Sequence, residues 1–302
     1  MKLAAYENKK IRVHLYDGGV IEGIASHNFA DYNEHEFGKN EEGLELAHFL
    51  VLKSQIRSVE LLQQEAEDIR TCERDLLMQF SACRSFSRNL MKWEDLDLQD
   101  KYDHNFFAYT SQPSEKEFQD ALSYQKEEKA SFIKLQGYLP LRETFGLEES
   151  VCLTMELTQD PSEWKKDPDL SFQTPSLGEL EEIERRHFGP LWGESFAVRN
   201  VDRLYEELDY LGAYRNGKLI ASCYYFSSGL FTCIDGLVTA EEERHKYVAT
   251  SLLAEVVKRV PGHTVFLHAS EEETPKEMYQ KMGFQIVDRS YEYLSEEIDN
   301  IS

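Results

Sequence analysis

The chain has 302 residues, 41% hydrophobic and 12% aromatic, which is too long for one ordinary core and too apolar for a disordered chain. Its 33 Lys+Arg against 56 Asp+Glu give a formal net charge of −23, a surface that repels a phosphate backbone, argues against a nucleic-acid partner and favours cationic partners such as amines or basic peptides. The five cysteines are an odd number without zinc-finger or CxxC spacing, which points to free thiols in a reducing compartment rather than to disulfides or a bound metal.

The N-terminal MKLAAYENKK has no apolar run suited to a signal peptide, and no stretch is long enough to span a bilayer, so the protein is read as cytoplasmic and not membrane-bound. Residues 1–62 read as a small all-β unit. Ile11, Val13 and Leu15 share one face of a first strand; Asp17-Gly18-Gly19 turns the chain; Val20–Ile24 returns. A polar loop over 31–43 follows, then strands over 48–52 and 56–61. Short strands closing within this length suggest a barrel, and the strand–Asp-Gly–strand opening resembles Sm-like and SH3-like barrels. Residues 62–90 read as helix, with Ile69, Cys72, Leu76, Leu77 and Phe80 at helical spacing. A helix over 115–129 lies between this and strands over 132–135 and 151–157. The polar stretch Thr158–Pro168 marks a boundary.

Beyond it strands and helices alternate. A strand over 170–173 leads to a helix from Ser176 to Phe188, with Ser176 and Glu179 as a capping box. A helix over 201–210 precedes a hairpin, 211–215 and 219–226, across Asn216-Gly217. A strand over 231–239, a helix over 248–260 stopped by Pro261-Gly262, a strand over 264–269, a helix over 274–282 and a strand over 285–294 complete the chain.

The segment from Ile234 to Leu253 carries the most chemistry. A strand passes through an acidic turn into Arg244-His245-Lys246-Tyr247-Val248-Ala249-Thr250, which opens a helix. Backbone N–H groups meeting at a helix N-terminus form an anion site, and no acidic residue lies between Arg244 and Leu253. This segment resembles the acetyl-CoA motif of GNAT N-acetyltransferases, Arg/Gln-x-x-Gly-x-Gly/Ala. Arg244 takes the first position and Ala249 the last, while Tyr247 replaces the central glycine. That substitution implies either an ordinary φ or a reshaped phosphate pocket. A second segment, Thr274 to Phe284, resembles the closing helix of the same family and its Tyr-x-Lys-x-Gly-Phe ending. Thr274 and Glu277 form a capping box, Pro275 sits in the first turn and Gly283 ends the helix.

The resemblance implies a GNAT acyl-CoA N-acyltransferase fold of the α/β class over 165–302, a mixed central sheet flanked by helices. It implies acetyl-CoA as cofactor and direct transfer of its acetyl group to a primary amine. Arg244 through Thr250 would grip the pyrophosphate. Backbone N–H groups of Leu237, Val238 and Thr239 on a splayed strand would meet the pantetheine arm and the carbonyl oxygen, and Tyr279 would protonate the departing thiolate. Asp235 is the first candidate for general base, with a structural role the alternative; Glu194 and Glu272 are further options. Cys233 reads as a small buried strand residue, and His268 as a satisfied core histidine. An acceptor pocket is expected from 188–203 and 288–293, with Trp192, Phe196 and Tyr291 beside Glu194 and Glu292, which suits a cationic acceptor of modest size.

Residues 132–157 echo 265–294, with Leu141–Leu147 parallel to Met278–Phe284 and Arg142 where Tyr279 stands. Nothing in 66–131 matches the CoA loop. The expected division is therefore a barrel over 1–62, a helix plus a degenerate GNAT-like half over 63–157, and a catalytic domain over 165–302. The competing reading is an acyl-CoA-binding regulator or scaffold with a non-catalytic GNAT domain. A further one gives residues 1–62 a protein partner.

Overall fold

The structure is a computed structural model, and it describes residues 1–272 and 275–301. The expected capping box at Thr274 falls outside the described residues. The first hairpin pairs β1 (Lys10–Leu15) with β2 (Val20–Asn28), placing Val13 opposite Ile21. The stretch after it, expected as loop, contains α1 (Ala30–Phe37). Gly38 stops that helix at φ 66, its N–H reaching the Asn33 and Glu34 carbonyls. The helix is polar on most sides, so no apolar period announces it. Strands β3 (Gly43–Leu46), β4 (Phe49–Leu52) and β5 (Ile56–Leu61) follow.

The helix expected over 62–90 is far shorter: α2 covers only Ile69–Leu77. Residues after it pair as β6 (Ala82–Ser85) and β7 (Leu90–Glu94), with Cys83 opposite Trp93. Both of those side chains are buried, so packing in a sheet overrides the helical continuation. Strand β8 (Phe106–Tyr109), helix α3 (Glu115–Glu127), strand β9 (Ile133–Gly137) and strand β10 (Glu148–Leu157) come next. The helical piece expected at Leu141–Leu147 is a turn, because Phe145 and Gly146 take φ of 55 and 77, which a right-handed helix excludes.

The remaining elements are β11 (Ser171–Gln173), α4 (Leu177–Trp192), α5 (Glu194–Tyr205), β12 (Asp209–Arg215), β13 (Lys218–Ser228), β14 (Phe231–Thr239), α6 (Val248–Arg259), β15 (Thr264–Ser270), α7 (Pro275–Lys281) and β16 (Phe284–Ser295). Ser176 and Glu179 cap α4 reciprocally, as expected. The second helix starts earlier than the sequence suggested and ends at Tyr205, so Tyr210 belongs to β12.

The chain folds into two compact units: residues 1–65, 74–150 and 290–302 form one, and residues 66–73 and 151–289 the other. The expected 165–302 span therefore contributes to both. In the first unit β8 and β9 are parallel neighbours joined through α3, and the end of β16 pairs antiparallel with β9, Tyr293 opposite Leu135. In the second unit β14 and β15 are parallel neighbours joined through α6, and β10 pairs antiparallel with β15, Thr154 opposite His268. The last strand of each unit thus comes from a segment that follows the other in sequence. Helix α6 packs Val248, Leu252, Leu253 and Val256 against Leu211, Ala221, Ile234 and Leu267, with Tyr279 and Met282 in the same apolar core. No helix among the described residues is long and apolar enough to cross a membrane.

Candidate functional site

Strand β14 is the frame of the site. A tight turn pairs Ser228 with Phe231 and carries the register back to Tyr224 opposite Asp235. Beyond that pair the register slips, because Ser222 opposes Val238. One residue of β13 now faces Gly236 and Leu237 together, a β-bulge with Gly236 at φ 60. The pairing of β14 with β15 ends at Ile234–Leu267, so the strands part where the bulge begins. The Ala240 N–H donates to the Ile220 carbonyl at 2.8 Å. Strand alternation then turns the Thr239 N–H, and two residues earlier that of Leu237, toward the edge that β15 has left. Val238 points its N–H toward β13, and its side chain is buried.

Two carboxylate oxygens mark the bulge. Asp235 is exposed; its Oδ2 accepts the Tyr224 hydroxyl at 3.0 Å and its Oδ1 accepts the Gly236 N–H at 2.7 Å. Tyr279 lies in the apolar core with 8% exposure, edge-on to Phe284 at 5.9 Å. Burial first, then the Asp235 charge, pushes its phenol far above the usual tyrosine range, so it stays protonated. It sits on a helix stopped by Gly283 at φ 92, where a Cβ would stand 2.5 Å from the Gln159 side chain.

The loop from β14 to α6 supplies the other half. A 3-10 turn over Glu241–Glu243 leads to Arg244, and His245 and Tyr247 both take left-handed backbone, at φ 63 and 60. The first intrahelical bond runs from the Ser251 N–H to the Tyr247 carbonyl. The N–H groups of Val248, Ala249 and Thr250 therefore open the helix unpaired within it, and among the described residues no side chain caps it. Tyr247 occupies the glycine position of the motif with a glycine-like conformation, its side chain 49% exposed and Lys165 Nζ 5.8 Å from its ring. Arg244, His245 and Lys246 are exposed around it. Arg215 braces the loop, bonding Asp167 at 2.7 Å and lying 3.3 Å from Glu243, which is 3.4 Å from Lys246. Open N–H groups, a positive helix end and cationic side chains fit a diphosphate; these residues could hold acetyl-CoA.

The site also contains groups that sequence reasoning missed or read differently. His268 is satisfied at both ring nitrogens, as expected, but through a partner the sequence did not suggest: its Nδ1 is 3.9 Å from Cys233 Sγ and its Nε2 2.8 Å from Glu73 Oε1, which also accepts from Thr154. Burial pushes the Cys233 thiol up. Tyr224 and Gly236 were legible in principle, from the turn at Gly229 that sets the β13–β14 register; Glu73 had no signal. Of the expected acceptor groups, Phe188 and Trp192 stack at 4.1 Å, with Phe196 edge-on to Trp192. Glu194 opens α5 beside them. Glu292 instead pairs with Lys134 at 3.1 Å, in the first unit.

Residues 177–284 match the acetyltransferase (GNAT) family. No curated protein sequence matches the chain. Among solved structures the chain is similar to a functionally unknown conserved protein from Staphylococcus epidermidis ATCC 12228, at 18% identity, TM-score 0.61, over 70% of this chain and 93% of that one. It is also similar to a GCN5-related N-acetyltransferase from Sphaerobacter thermophilus, at 14% identity, TM-score 0.49, over 72% of this chain and 80% of that one. A tandem GNAT protein from the clavulanic acid biosynthesis pathway matches at 12% identity, TM-score 0.48, over 76% of this chain and 89% of that one.

Proposed function

The chain carries, over residues 177–284, a domain of the acetyltransferase (GNAT) superfamily, and from that premise we propose that it transfers an acetyl group from acetyl-CoA to a primary amine. The observation that carries the reading is the uncapped N-terminus of α6 beside the parting of β14 from β15. Acetyl-CoA supplies the activated acetyl group. The N–H groups of Val248, Ala249 and Thr250, with Arg244, His245, Lys246 and Tyr247, bind its diphosphate. Leu237 and Thr239 offer N–H groups to the pantetheine arm and to the oxygen that gains charge.

Asp235 takes a proton from the arriving ammonium and frees the nitrogen lone pair. The amine nitrogen bonds to the carbonyl carbon, the carbon–sulfur bond breaks, and Tyr279 gives its proton to the sulfur. The nitrogen sheds its second proton, Tyr279 is reprotonated, and one proton per turnover passes to solvent. Holding amine and thioester together provides much of the acceleration. The left-handed backbone at Tyr247 keeps the loop in the shape a glycine would give it, which supports CoA binding in a transferase and in a non-catalytic CoA-binding scaffold alike.

The first unit supports a proposal of its own. Its β8–α3–β9 crossover has the connection of β14–α6–β15, but the N-terminus of α3 is already filled. Glu117 accepts from the Ser114 N–H and hydroxyl, Ser87 and Asn89, and though burial opposes it, these donors lower its carboxyl to about 2. We read this unit as a GNAT-like half in which a capping box stands where α6 has open N–H groups. Within it, residues 1–62 order their strands as β5-β1-β2-β3-β4 with a 3-10 turn, Lys53–Gln55, before β5, an arrangement that suits a small barrel.

The test is a panel of primary amines, from amino acids to polyamines and lysine peptides, incubated with acetyl-CoA and followed by free thiol and product mass. Stoichiometric CoA release with an acetylated amine supports the reading. No product from any member, with acetyl-CoA bound, would favour the scaffold.

A further inference from the structure

We infer that Tyr224 is a positioning residue for the transfer: its hydroxyl fixes the Asp235 carboxylate in the orientation from which it accepts the proton of an incoming primary ammonium. This rests on the proposed function above. The Tyr224 ring is held on both flanks. On one side lies Gly236, where an added Cβ would come within 2.5 Å of Tyr224 Cε1. The ring therefore lies directly on the backbone of the bulge, and φ 60 at this position already favours glycine. On the other side the buried Tyr210 ring stands 5.6 Å away at 60°. A ring confined in this way has little rotamer freedom left to lose when its hydroxyl bonds Asp235.

The carboxylate is held just as firmly. Each oxygen accepts one protein donor, Oδ2 from Tyr224 and Oδ1 from Gly236. A carboxylate oxygen has room for a second hydrogen, and Asp235 is exposed, so each oxygen keeps an accepting position toward solvent. Burial and the neighbouring carboxylate push the Tyr224 phenol well above the usual tyrosine range, so it serves as a donor that keeps its proton. An anion anchored by two donors and open on its far side attracts a cation with hydrogens to give, which suits an ammonium acceptor.

A double-mutant cycle tests this, with Tyr224→Phe, Asp235→Asn and the double variant assayed on the best amine of the panel. Tyr224→Phe should lower kcat/KM for the amine about tenfold and leave the acetyl-CoA dissociation constant within about twofold. In the Asp235→Asn background the same change should alter kcat/KM by less than about twofold, because the partner it positions is gone. Equal losses in both backgrounds would mean that Tyr224 acts independently of Asp235 and would overturn the inference alone. A wild-type protein that turns over no amine would overturn the proposed function and this inference with it.

Discussion

Glu73 Oε1 lies 2.8 Å from His268 Nε2, joining residues 195 positions apart. Burial opposes the positive charge on this imidazole, but the hydrogen bonds that Cys233 Sγ and the Glu73 carboxylate accept from it outweigh burial and hold its pKa well above the ordinary 6.5. A raised pKa stabilises the fold fully below the unfolded value and ceases to do so as pH rises through the folded one. His268→Gln should therefore lower the melting temperature most near pH 6 and progressively less toward pH 9. Thermal unfolding across that range checks it; a penalty that grows with pH would contradict the charged pair.

The Cys233–His268–Glu73 arrangement has the order of a nucleophile, a base and its orienting group. The thiol is 1% exposed and burial keeps it protonated, which suits a structural thiol better than a thiolate nucleophile. Direct attack by the amine therefore predicts that Cys233→Ala keeps kcat within about threefold, far from the loss expected on removing a nucleophile. Intact-mass measurement after mixing with acetyl-CoA alone should show no acetyl adduct. An adduct that disappears in Cys233→Ala would establish a covalent route instead.

Tyr247 holds a left-handed conformation that costs a non-glycine residue roughly 1–2 kcal/mol. Tyr247→Gly removes that strain while making the unfolded chain freer. The expected outcome is stability within about 1 kcal/mol of wild type and unchanged CoA affinity. Tyr247→Val, β-branched at the same φ, should weaken CoA binding and lower the melting temperature. Paired calorimetry and unfolding of the two variants distinguish a backbone role from a side-chain role; loss of CoA binding in Tyr247→Gly would assign the grip to the phenol ring.

Tyr279→Phe leaves the apolar packing in place and removes one hydroxyl. If that hydroxyl protonates the departing sulfur, kcat should fall about a hundredfold with acetyl-CoA affinity intact. The phenol is held far above its usual range, so no loss of rate from its ionisation should appear below about pH 10. A full-rate Tyr279→Phe protein would remove the residue from the chemistry.

Much of the second unit could be read in the residues. Asn216-Gly217 fixed a hairpin, Val248, Leu252 and Val256 fixed a helix, and the two motifs bracketed the site. The conformation of Tyr247 could not be read, since a side chain gives no direct report of its φ. Helix α2 ended at Leu77 because Cys83 and Trp93 are buried across a hairpin, and such pairings are long-range facts. Glu73 reached His268 only through the tertiary fold. The first unit was harder because its helix α1 is polar on most sides and its last strand comes from the far end of the chain.

The central claim is that α6 opens onto a site for the diphosphate of acetyl-CoA, and calorimetric titration tests it most directly. Wild type and Tyr279→Phe should bind at one site per chain with micromolar affinity. Ala249→Asp should not bind: a carboxylate in the first helical turn favours the helix but repels the phosphates. Binding that survives Ala249→Asp, or no binding to wild type at millimolar acetyl-CoA, would contradict the account.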